Sequence, residues 1–137
     1  MKISEIITEA SIFGRKKNKV YNLMIKAIGC GPFDGGCVTV AMALKVMLGG
    51  DIVVLTGYAN RNSPEEAAQH AALLHNGKLI DGDGPLPQKA FINRFVDNEM
   101  AFVGGSVTGV RPIEPNDLPE APRDAAVARQ IAELLQS

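Results

Sequence analysis

Residues 33–50 read FDGGCVTVAMALKVMLGG, and no other stretch limits the fold as much. From Val38 to Leu48 only Thr39 and Lys45 interrupt the apolar residues, and Gly49-Gly50 end the run. A helix apolar on every side has no face to give to water, so it must lie at the centre of the molecule. With 137 residues the chain has the length of a single domain with a single core, and the rest must wrap this helix. Packing does not explain why Cys37, preceded by Gly35 and Gly36, stands at its first turn.

The remaining periodicities supply the wrapping. MKISEIITEA carries Ile3, Ile6 and Ile7 at i, i+3, i+4 spacing, which predicts a short amphipathic helix. GRKKNK at 14–19 reads as a solvated loop, so residues 1–19 form an N-terminal helix and basic loop. Residues 19–29 are a second helical pattern ended by Gly29, and CGPFDGG is a loop. DIVVLTGY at 51–58 is β-branched and predicts an interior strand. In NSPEEAAQ, Ser63, Pro64 and Glu66 fit N-cap, N1 and N3 of a capping box before a short helical turn.

HAALLHNGKLIDGDG offers two apolar runs joined by Asn76-Gly77, the preferred pair for a tight hairpin. LPQKAFINRFVDNEM is helical, with Phe91, Ile92 and Phe95 on one side. AFVGG and SVTGVRPI predict one or two further strands, and 121–137 an amphipathic C-terminal helix after a Pro-rich linker. Helices come first, then a short, mostly antiparallel sheet, which is an α+β domain.

The first turn of a helix suits a reactive thiol. Its unpaired N–H groups and the positive end of the macrodipole stabilise a thiolate. The same N–H groups can stabilise an oxyanion on an attacked carbonyl. Gly35 and Gly36 would keep side chains away from the sulfur. The hairpin supplies a base. With Asn76-Gly77 as a two-residue turn, Ala72 faces Asp81 and His70 faces Asp83. His70, Asp81 and Asp83 then leave one side of the sheet, while His75 leaves the other beside the turn, exposed to solvent. A carboxylate at His70 would fix its tautomer and orientation.

The order GGC opening an apolar helix, histidine at a strand start and then GKLIDGDG resembles the papain-like cysteine hydrolases in the broad sense, NlpC/P60 and transglutaminase-type enzymes included. More closely, it resembles small phage and bacterial domains patterned Gly-Gly-Cys, apolar helix, His, strand, Gly, strand, Asp-x-Asp-Gly. The resemblance covers residues 33–84, under half the chain, and puts a catalytic core at 29–84. It implies a papain-like fold, with Cys37 as nucleophile, His70 as base and Asp81 as the orienting acid. Gly35, Gly36, Asp34 and Asp83 would line the site or its oxyanion region. Peptide hydrolysis, deamidation and acyl transfer are all open to such a triad. The implied partner is a protein or peptide substrate, without cofactor or metal.

Two positions depart from the pattern: no Gln or Asn stands just upstream of Cys37 as a side-chain oxyanion donor, and Val38 follows it where a bulky aromatic is frequent. Small size, the absent amide donor and the nearby Asp34 favour a second reading, an inactive papain-like fold serving as a binding or structural module, phage-encoded on the resemblance of its first ten residues. Asp34 reads as a loop or cap acid, and its charge would oppose a thiolate if close. Cys30 reads as a loop thiol.

Other chemistries fit less well. Cys30 and Cys37 are separated by more than zinc sites use, and His70 and His75 diverge. No phosphate-binding or dinucleotide fingerprint is present. Fourteen basic against fifteen acidic residues give no electrostatic reason for binding nucleic acid or a membrane surface. Two cysteines are no disulfide framework, and no secretory or membrane-spanning run is present, so the expected location is the cytoplasm, a host's or a virion if phage-encoded.

Overall fold

The computed structural model describes residues 12–137; the helix expected within residues 1–10 lies outside them. Helix α1 is Lys17–Ile28, entered through a 3₁₀ turn at Gly14–Lys16. The basic cluster is therefore a turn and a helix start rather than a loop. Tertiary contact decides this: Lys16 Nζ donates to the carbonyls of Leu134 and Ser137 at 2.8 and 2.9 Å. Those carbonyls end the last helix, where a cation is favoured. Gly29 closes α1 in the left-handed region at φ 76°, its N–H on the Ile25 carbonyl.

Helix α2, Cys37–Leu48, is the central element that its composition demands. Val38, Thr39, Val40, Ala41, Ala43, Leu44 and Met47 are all buried. Thr39 is tolerated at 0% exposure because its hydroxyl donates to the Pro122 carbonyl at 2.7 Å. Helix α2 packs into a core with Val20 and Met24 of α1, and with Leu73 and Ile80 of the sheet.

The sheet has five strands, all antiparallel, in the order β4-β3-β2-β1-β5. They are β1 Asp51–Tyr58, β2 Ala67–His75, β3 Lys78–Asp81, β4 Gly84–Pro87 and β5 Ser106–Pro112. The Asn76-Gly77 turn forms as expected, both residues at positive φ (50° and 77°), and pairs His75 with Lys78 and Leu73 with Ile80. His75 is half-buried rather than exposed. The capping box at Ser63 starts no helix. Ala67 is already committed to pairing with Gly57, and the Ser63 hydroxyl instead accepts from the Asn60 N–H inside a loop. Strand β4 was not expected, because Pro85 and Pro87 argue against a ladder; as an edge strand it can carry them.

Helix α3, Gln88–Phe95, runs on through a π-helical turn at Val96–Met100 and a 3₁₀ turn at Ala101–Val103. AFVGG is thus no strand, and only SVTGVRP pairs. Helix α4, Ala125–Gln136, starts at Asp124, whose carboxylate accepts from the Val127 N–H, and it buries Val127, Ala128, Ile131, Ala132 and Leu135 against α2. Helix α3 covers the opposite sheet face, where Phe91 meets Val53, Leu55, Ala72 and Leu79. No described helix is long and apolar enough to cross a membrane.

Candidate active site

The site forms where three local events coincide: α2 begins, β3 ends and β2 bulges. Cys37 is the first residue of α2, behind the N-cap Gly36. Residues 31–36 fold back on themselves, with the Gly36 N–H on the Gly31 carbonyl at 3.0 Å. In β2 the register against β1 slips, so that Leu55 pairs with His70 but Thr56 with Ala68. Gln69 is the extra residue of this bulge, a device that re-aims neighbouring side chains.

Strand β3 stops at Asp81, one residue short of facing Ala71. The Ala71 N–H hydrogen-bonds the Cys37 sulfur. His70 and Asp81 leave the same side of the sheet, as the turn requires, and His70 Nε2 lies 2.8 Å from Asp81 Oδ2. His70 also hydrogen-bonds Cys37. Cys37, His70 and Asp81 are thus joined in one chain of contacts.

Burial pushes the Cys37 thiol up, but the bond and charge of His70, with the Ala71 and Val38 N–H groups, outweigh it and hold the thiol below its ordinary value. Burial also opposes protonation of His70, whose side chain is 16% exposed. The bond to Asp81, and then that to Cys37, prevail and raise His70 to about 9. Both shifts run in the direction of a thiolate–imidazolium pair.

Asp83 does not sit opposite His70. Gly82 and Asp83 form the turn into β4, where Asp81 pairs with Gly84, so the strand ends before that position. What Asp83 supplies is its N–H, donated to Asp81 Oδ1 at 2.9 Å, while burial, then Asp81, push its own carboxyl up. Asp34 accepts from the Gly31 N–H within its loop; burial, then the charge of Asp34, raise Cys30. Gly36 is buried against Met24 and Gly31, so its lack of a side chain serves packing rather than approach to the sulfur. Gly35 does line the cleft in front of Cys37, with φ 114°.

That cleft has a volume of about 370 Å³, with Cys37, His70 and Asp81 on its wall and Phe33, Leu118 and Glu99 among its other lining residues. Sequence reasoning missed Arg94. Its Nη2 reaches Asp81 Oδ1 at 3.2 Å and the Gly84 carbonyl at 3.1 Å, and its Nη1 reaches the Asp83 carbonyl at 3.2 Å. Phe95 stacks on His70 with ring centroids 4.7 Å apart and planes inclined by 15°, and Phe91 lies behind it at 6.1 Å. The Phe91–Phe95 spacing was legible as a helix face; nothing in the sequence said that β2 lay under it. Gln69 also lines the cleft, but its amide nitrogen is committed to the Gly57 and Ala67 carbonyls.

No group of three His, Cys, Asp or Glu side chains among the described residues is arranged to hold a metal ion. No protein-family model matches the chain, and neither a curated protein nor a solved structure is similar to it.

Proposed function

We propose that the protein is a cysteine-dependent acyl hydrolase or acyl transferase of papain-like type, acting on a protein or peptide. The observation that carries this reading is the continuous contact chain from the Cys37 thiol, through His70, to Asp81 at 2.8 Å. In the proposed cycle the Cys37 thiolate attacks an acyl carbon in the cleft. Remaining N–H groups of the first turn of α2 stabilise the oxyanion, since the Gln69 amide is already engaged. The His70 imidazolium gives its proton to the leaving amine, and a thioester remains on Cys37. Water or an acceptor amine then attacks that thioester, its proton passing to His70. Asp81 holds the imidazole through both steps.

The test uses a Cys30→Ser background, so that one thiol reports. Iodoacetamide labels Cys37 rapidly well below pH 9, and p-nitrophenyl acetate leaves an acetyl group on it that mass spectrometry detects. His70→Ala slows both and returns the labelling to an ordinary thiol titration. Labelling that follows such a titration in the parent, unchanged by His70→Ala, refutes the enzyme and leaves an inert binding module.

A further inference from the structure

We propose that Arg94 is a positioning residue of this site, a guanidinium fork on α3 that locks the Asp81 carboxylate and the β3–β4 turn in the one arrangement that presents Oδ2 to His70. The inference rests on the proposed function and adds a fourth member to the triad.

Asp81 stands on the last residue of a four-residue strand, followed at once by a two-residue turn. Such a strand end has little of its own to fix a side-chain angle. Arg94 makes three bonds there, to Asp81 Oδ1 and to the carbonyls of Asp83 and Gly84. Two of these bonds go to backbone, so the guanidinium ties the turn itself to α3. The Asp83 N–H supplies a further bond to the same Oδ1. With Oδ1 so occupied, Oδ2 is left to face the imidazole.

Helix α3 delivers this from a single stripe. Phe91 and Phe95 flank Arg94 at helical spacing; Phe95 stacks on the imidazole, and the Arg94 guanidinium lies over the Phe91 ring at 5.1 Å. One rigid face therefore orients base and acid together. Arg94 is 25% exposed and Asp81 14%, so the ion pair is only partly open to solvent. An arginine suits this place better than a lysine, because three diverging acceptors need a planar fork rather than a point charge.

The charged and titratable groups around His70 are Cys37 from α2, Asp81 and Asp83 from β3 and its turn, and Arg94 from α3; Glu99 and Glu120 line the same cleft, and Lys17 of α1 reaches the group through Asp83. This set gives two opposite signs for loss of Arg94. If the residue were only a nearby cation, removing it would favour the imidazolium, and His70 would hold its proton as firmly or more so. If it positions Asp81, removing it frees the carboxylate to leave Nε2, and His70 releases its proton at lower pH.

The experiment is an NMR titration of the His70 imidazole C–H in the Cys30→Ser parent, Arg94→Met and Arg94→Lys. The parent titrates near 9. Arg94→Met lowers the His70 midpoint by about one pH unit or more and retains a dispersed folded spectrum. Arg94→Lys, which keeps the charge but not the fork, lowers it less and remains informative if the methionine variant does not fold. A midpoint unchanged or raised in whichever of the two variants folds overturns the inference while leaving the proposed function standing. A parent that titrates near the ordinary histidine value fails the proposed function instead.

Discussion

Replacing Gly36 with alanine separates two roles a glycine before a nucleophile can have. Its backbone does not need glycine, since φ is −95° and ψ 14°. Space is what it needs: an added Cβ would stand 2.3 Å from Met24 Cε and 2.5 Å from the Gly31 carbonyl oxygen. The methionine end can swing aside. The carbonyl cannot, because it is backbone and also accepts the Gly36 N–H at 3.0 Å. Relief therefore requires the segments carrying Gly31 and Gly36 to part. Overpacking of this kind costs about 1–3 kcal/mol, and weakening that hydrogen bond about 0.5–1.5 kcal/mol more. The expected loss is roughly 2–4 kcal/mol, a fall in Tm on the order of 10 °C for a domain of this size. Urea denaturation with an unchanged m-value, in parent and Gly36→Ala, measures it. Destabilisation under about 0.5 kcal/mol, together with slower alkylation of Cys37, would refute the packing argument and return Gly36 to a role in access.

Two further perturbations test other parts of the structure. In the parent the lowered Cys37 and the raised His70 shift stability with pH in opposite senses, the thiol adding stability as pH rises and the imidazole losing it above the ordinary histidine value of 6.5, so the two partly cancel. In Cys37→Ala the imidazole keeps Asp81, its largest source of elevation. Its stabilisation is then complete below 6.5 and is lost as pH rises toward the folded value, so urea midpoints fall across that window; midpoints level or rising with pH in the variant would contradict the assignment. Thr39→Val strands the Pro122 carbonyl and the Asp124 N–H that approaches the hydroxyl at 3.4 Å. It lowers stability by about 1–3 kcal/mol in the same assay, whereas a neutral outcome would mean that those groups find other partners.

The sequence alone determined the features that depend on local periodicity and backbone conformation. Eleven residues with two polar interruptions force a central helix, and the structure buries seven residues of α2. Asn76-Gly77 fixes the turn and, through it, the register that sets His70 and Asp81 on one side of the sheet. Tertiary structure decided what local pattern leaves undetermined. Ser63 has the residues of a capping box, yet β1 pairing claims Ala67 for the sheet. The GRKKNK cluster becomes a turn and a helix start because Lys16 reaches the end of α4, over a hundred residues away. Asp83 was placed opposite His70 by extending the ladder, and the ladder ends at Asp81 because Gly82-Asp83 turn into an edge strand that its prolines disguise.

The bulge at Gln69 and the clamp at Arg94 were equally out of reach. A bulge is a mismatch between two strands, and neither strand records it by itself. Arg94 reads as an ordinary polar position on a helix until α3 is laid across the sheet. Its three acceptors, two of them backbone carbonyls, exist only once the turn has formed beneath it.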